Sequence, residues 1–118
     1  MKTTVVITFD VDGTLECGEP KGPIKLDILR KLKEEKFTVG IVGAYQKVQK
    51  HIGNLDFYFG GDPHKIEHLS KVREMFKPRL ALYVADRESD RAVALKTGFT
   101  YVCPEDFIFD LAEVPQAK

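Results

Sequence analysis

Three stretches of this chain are apolar almost without interruption, the first two of them largely β-branched: residues 4–9 (Thr-Val-Val-Ile-Thr-Phe), 38–42 (Thr-Val-Gly-Ile-Val) and 80–85 (Leu-Ala-Leu-Tyr-Val-Ala). A strand of this composition has no face fit for water. It must be covered on both sides, which is the condition of a parallel sheet between two helical layers. Residues 56–59 and 100–102 are shorter runs of the same kind.

Helical periodicity fills the gaps. Ile24, Ile28, Leu29 and Leu32 fall at helical spacing among Lys and Glu, and Tyr45, Val48 and Ile52 form a second stripe closed by Gly53. Asp62-Pro63 reads as an N-cap followed by Pro at the first helical position. The helix it predicts carries Ile66, Leu69, Val72 and Phe76 and ends before Pro78. A fourth helix is predicted over residues 88–97, with Lys96 in its last turn and Gly98 as its cap. Strictly alternating strands and helices imply one three-layer α/β/α domain, Rossmann-like, on a five-stranded, mainly parallel sheet. Residues 107–111 fit either a short strand or a helical turn, and residues 112–118 read as a flexible tail.

At 118 residues with 43% apolar side chains, the chain can build one real core. Its 18 basic and 18 acidic groups balance, so whole-molecule attraction to nucleic acid or anionic lipid is not expected. Cys17 and Cys103 are too few for a disulfide framework or a four-cysteine zinc site, which favours a reducing, cytoplasmic setting. No apolar run nears the roughly 18 residues that span a bilayer. The first residues run directly into a β-like stretch without a small-residue cleavage site, so a signal peptide is not expected.

Ligands of open α/β sheets bind beyond the carboxyl ends of the strands. Asp10-Val11-Asp12-Gly13-Thr14 follows the first run there, Gly43-Ala44 the second, Asp62 to Lys65 the third and Asp86-Arg87-Glu88-Ser89-Asp90 the fourth. Any one of these Asp residues suits a turn or a cap, and Asp62 is read so. Asp10, Asp12, Asp86 and Asp90 together on one edge would repel unless a cation neutralised them. Oxygen ligands without Cys or a well-placed His favour Mg²⁺ over zinc. His64-Lys65-Ile66-Glu67-His68 has the spacing of an inverted zinc-peptidase helix, but no third ligand is apparent, and exposed helix histidines are the simpler reading.

Asp10-Val11-Asp12-Gly13-Thr14-Leu15 after an apolar strand resembles the first motif of the haloacid dehalogenase superfamily of phosphohydrolases. Asp86 and Asp90, separated by three residues after Leu-Tyr-Val-Ala, resemble its fourth motif, and Lys65 its third. The resemblance covers residues 4–103. It implies Asp10 as the nucleophile that becomes an aspartyl-phosphate and Asp12 as general acid and then base. It implies Mg²⁺ on the Asp10 carboxylate, the Asp12 carbonyl, Asp86 and Asp90. Phosphate would be held by N–H groups of the loop at Val11 and Gly13, by the Gly43-Ala44 turn and by Lys65. The substrate would be a phosphorylated metabolite or macromolecule.

One position departs from the family pattern. The second motif ends its strand in Ser or Thr, and here Gly43 stands in that place. The missing hydrogen bond to a charged oxygen is worth roughly 1.5–3 kcal/mol, so Gly43→Ser is expected to raise activity. It also keeps open a degenerate, non-catalytic binding or regulatory relative. The cap that distinguishes family members has room only in residues 16–23, a short Gly- and Pro-containing flap. A capless chain of this family would take a large substrate or cover its site by self-association. A receiver-type signalling domain shares the strand-helix alternation, but its paired acids, its acceptor Asp after the third strand and its late Lys have no counterparts here.

Overall fold

The computed structural model describes residues 4–107. The chain alternates β1 (Val5–Phe9), α1 (Leu26–Glu34), β2 (Thr38–Val42), α2 (Gln46–Gln49), β3 (Phe57–Phe59), α3 (Lys65–Phe76), β4 (Leu80–Val84), α4 (Glu88–Thr97) and β5 (Thr100–Val102). All five strands are parallel, in the order β3-β2-β1-β4-β5. The expectation of a mainly parallel sheet thus resolves to an entirely parallel one. The order reverses at β1, which lies between β2 and β4, so the crevice beyond the ends of β1 and β4 is the topological switch point.

The pleat sorts the core into two layers. Ile7, Phe9, Val39 and Ile41 face Leu26, Leu29 and Leu32 of α1 and Val48 of α2. Val6, Ala81 and Tyr83 face Leu69 and Val72 of α3 and Ala94 of α4. Successive strand residues point to opposite faces, and both faces are covered by helices, which is why β1 and β2 carry almost no polar side chain. Thr8 is the exception on β1 and is fully buried.

Several boundaries differ from the sequence expectation. Ile24 is not helical. It forms an isolated parallel bridge with Leu15, and Leu26 takes the first buried position of α1. The flap is therefore pinned at its base, and its Gly22 N–H donates to the Leu15 carbonyl at 2.8 Å. The second helix is one short turn, continued past Lys50 only as a turn. Asp62 does not cap α3. The chain turns first, with the His64 N–H on the Gly61 carbonyl at 2.9 Å, and the helix starts at Lys65. The fourth helix matches its expected bounds, and Gly98 ends it at φ 81°, where a side chain is strained. Pro104 and Phe107 lie in a helical turn over 104–107, where the Phe107 ring meets Phe9 edge-on at 5.4 Å. Residues 108–118, including the expected tail, lie outside the described residues.

Gly40 marks a tightly packed position in the sheet. A Cβ built there would lie 2.4 Å from the ring of Phe57, which fills the place of the missing side chain. That ring is itself packed on Phe59 and Phe76 at 5.9 and 5.7 Å, so it cannot swing aside freely. Gly40→Ala is expected to cost about 1–3 kcal/mol, typical of overpacking. The check is a lower denaturant midpoint with an unchanged slope. An unshifted midpoint would show that Phe57 has room to move.

Candidate functional site

The residue after each of the two central strands comes from a fixed frame. The Asp10 N–H donates to the Val84 carbonyl at 2.9 Å, so the loops leaving β1 and β4 start side by side. Asp86 follows β4 and is exposed, whereas Asp90, in the first turn of α4, is buried. One carboxylate oxygen from each of Asp10, Asp86 and Asp90 lies within 4.8 Å of the others. Lys65, the first residue of α3, points its ammonium into this group, 2.6 Å from Asp90 Oδ1 and 3.6 Å from Asp10 Oδ2.

Burial sets the electrostatics. Desolvation pushes the Asp10 carboxyl up to about 6. Lys65 and the Val11 N–H oppose the rise, while Asp90 and Asp86 add to it. Burial also works against the Lys65 charge, yet Asp10 and Asp90 outweigh it and hold the ammonium above its ordinary range. Beneath it lies the fully buried ring of Tyr83, 5.9 Å from the ammonium, whose hydroxyl donates to the Val42 carbonyl at 3.3 Å. Lys71, the other lysine of α3, stands over Phe59 instead.

A hard divalent cation suits this donor set. Among the described residues, Asp90 Oδ2 is buried and has no hydrogen-bond partner. A buried charged oxygen left so costs more than the roughly 1–3 kcal/mol of an ordinary unsatisfied group. Three carboxylates with one ammonium among them leave negative charge for a cation to neutralise.

Of the four carboxylates expected to converge, Asp12 is the one whose side chain does not join the cluster. Its Oδ1 accepts from Lys47 Nζ at 2.7 Å and from the Glu19 N–H at 2.8 Å. Burial would raise its pKa, but these two bonds and the charges of Lys47 and Arg87 hold it below the usual carboxylate range. Sequence reasoning missed Lys47, which reads as one more solvated helix lysine. Only the short turn after Gly43 brings it to the site. Val11 is buried in the apolar core. Gly13 has φ 77°, and a Cβ there would fall 2.0 Å from Asp86 Oδ2, so glycine is needed twice over. Its N–H, expected to be free for phosphate, donates to the Pro20 carbonyl of the flap at 2.6 Å. Ala44 opens the turn into α2. Comparison with protein-family models, curated proteins and solved structures gave no significant match to this chain.

Gly43 leaves little room for the expected repair by serine. Its backbone is not in the left-handed region, so strain is no obstacle. Space is: a Cβ would stand 2.5 Å from Asp10 Oδ1 and 3.2 Å from the Val11 nitrogen. Gly43→Ala and Gly43→Ser should both displace the Asp10 carboxylate and weaken cation binding by about tenfold or more, equivalent to about 1.4 kcal/mol. Calorimetric titration with Mg²⁺ checks this, and an unweakened serine variant would show that the carboxylate can move aside.

The raised pKa of Asp10 also has a pH signature. A carboxyl raised from 3.8 to about 6 in the folded state contributes stability that is complete below 3.8 and is lost as pH climbs through 6. A cation needs the ionised form. Mg²⁺ should therefore raise the Tm more at pH 7.5 than at pH 5, with stabilisation near 2.7 kcal/mol at about 100 times its Kd. Asp86→Ala should remove most of that shift in a melting series, and a full shift in the variant would exclude Asp86 from the cation shell.

Proposed function

We propose that this chain is a Mg²⁺-dependent phosphohydrolase of the haloacid dehalogenase type, cleaving phosphate monoesters through a phosphorylated Asp10. The observation that carries the reading is the buried Asp10 at the switch point, with Lys65 at 3.6 Å and the Asp86 and Asp90 carboxylates beside it. An anionic nucleophile approaches an anionic phosphate only when cationic groups offset their repulsion. Asp10, Asp86 and Asp90 would hold the cation with the Asp12 backbone carbonyl, and the bound ion would supply charge neutralisation and orientation of the phosphate.

The chain's own residues then divide the work. An Asp10 oxygen attacks phosphorus as the bond to the ester oxygen breaks, and the electron pair leaves with that oxygen. Asp12 must first take up a proton against the pull of Lys47, and it gives that proton to the leaving oxygen. It then takes one from water, whose oxygen bonds to phosphorus as the Asp10–phosphorus bond breaks. Lys65 holds the charge of Asp10 and the phosphate. The Gly13 N–H joins the phosphate cradle once it releases Pro20.

A second reading is a binding protein on the same frame, without turnover. It is favoured by Asp12, held ionised by Lys47 and the Glu19 N–H, and by the absence of a hydroxyl at Gly43. The receiver-like reading has no such support, because Asp56 binds the Val39 N–H at 2.9 Å and Lys33 at 3.0 Å as a structural tie. Turnover of p-nitrophenyl phosphate with Mg²⁺ separates the two remaining readings. Asp10→Asn, folded by circular dichroism, should lose at least about a thousandfold in kcat. Wild-type protein that binds phosphate without hydrolysing any ester would establish the second reading.

A further inference from the structure

Lys47 is a cation at the site that the phosphohydrolase chemistry leaves without a task. It stands on α2, whose Val48 is fully buried and fixes the turn in place. Its ammonium is 2.7 Å from Asp12 Oδ1, and both side chains remain partly open, 38% and 35% exposed. An ammonium has three donors. Among the described residues Asp12 Oδ1 is its hydrogen-bond acceptor, which leaves donors turned to solvent. Arg87 is a second cation near Asp12, and Glu19 is the acid near Lys47. The mouth beside Asp12 is thus balanced by two cations, whereas the floor around Asp10 is acidic.

We propose that Lys47 is a specificity residue that selects phosphate monoesters whose leaving group carries a second anion close to the ester oxygen. The inference rests on the phosphohydrolase reading, in which Asp12 meets the leaving oxygen. If Asp12 meets that oxygen through Oδ2 while Lys47 holds Oδ1, two hydrogen bonds and the width of one carboxylate separate the ammonium from it, roughly 5–7 Å. A carboxylate on the carbon that bears the ester oxygen bridges that gap. One held two carbons further out overshoots it. The substrate class is therefore phosphate esters of 2-hydroxy acids, or leaving groups of the same charge geometry. An uncharged leaving group gives Lys47 nothing to bind but Asp12.

Three probes test this: 2-phosphoglycolate, ethyl phosphate as its uncharged counterpart, and 4-phosphooxybutyrate, which holds the same charge further away. With Mg²⁺, wild-type protein should favour 2-phosphoglycolate over each of the others by about tenfold or more in kcat/KM, the factor expected of one charge-assisted hydrogen bond. Lys47→Met should collapse both ratios, chiefly through KM for 2-phosphoglycolate, and Lys47→Arg should largely restore them. Equal losses on all three probes would overturn the proposal, since Lys47 would then serve only to hold Asp12. Equal losses on the two carboxylates alone would also overturn it, as general charge attraction. Calorimetric binding of the same probes gives a readout independent of turnover. If nothing is hydrolysed but Lys47→Met selectively weakens 2-phosphoglycolate binding, the hydrolase reading fails and the anion preference stands. Binding without preference in the wild type would overturn the preference itself.

Discussion

The ammonium of Lys65 between Asp10 and Asp90 is the interaction on which the site depends. All three groups are buried, and each would be costly alone. Removing one partner of such a buried set costs about 3–5 kcal/mol, because the remaining charge is stranded. The pairing also ties three elements together. Asp10 leaves β1, Lys65 starts α3 and Asp90 lies in the first turn of α4. The helices α3 and α4 share one face of the sheet, so the ion pairs cross the same layer that buries Tyr83 and Leu69.

The acidic edge leaves little side-chain volume around it. Gly13 lies against Asp86 and Gly43 against Asp10, each at a separation no Cβ could occupy. Backbone, not side chain, lines these parts of the cluster. The carboxylates are therefore confined by main chain that moves little, which suits a site that must keep like charges at short range.

Much of this was legible in the sequence. The long strands were readable because residues buried on both faces leave no polar alternation, as in Val5–Phe9 and Thr38–Val42. Asp10, Asp86, Asp90 and Lys65 were readable because strand ends share one edge once the sheet is parallel. What stayed hidden depends on distances between segments. Ile24 keeps helical spacing with Ile28, yet a bridge to Leu15 claims it. Asp12 sits in the same motif as Asp10, but Lys47, 35 positions later, draws its side chain away. Gly43 looked like a missing hydroxyl, and only the approach of Asp10 reveals it as needed space.

The two outermost strands, β3 and β5, are three residues each, against five for each of the three inner strands. A sheet exposes unpaired N–H and C=O groups only along its rims, and those groups are the template on which foreign strands add. The apolar, β-branched segments that would feed cross-strand aggregation are thus enclosed at the centre, while the rims offer too short a ladder to start it. The same sequence runs that force burial on both faces are kept out of reach of a neighbouring molecule's backbone for as long as the sheet stays intact.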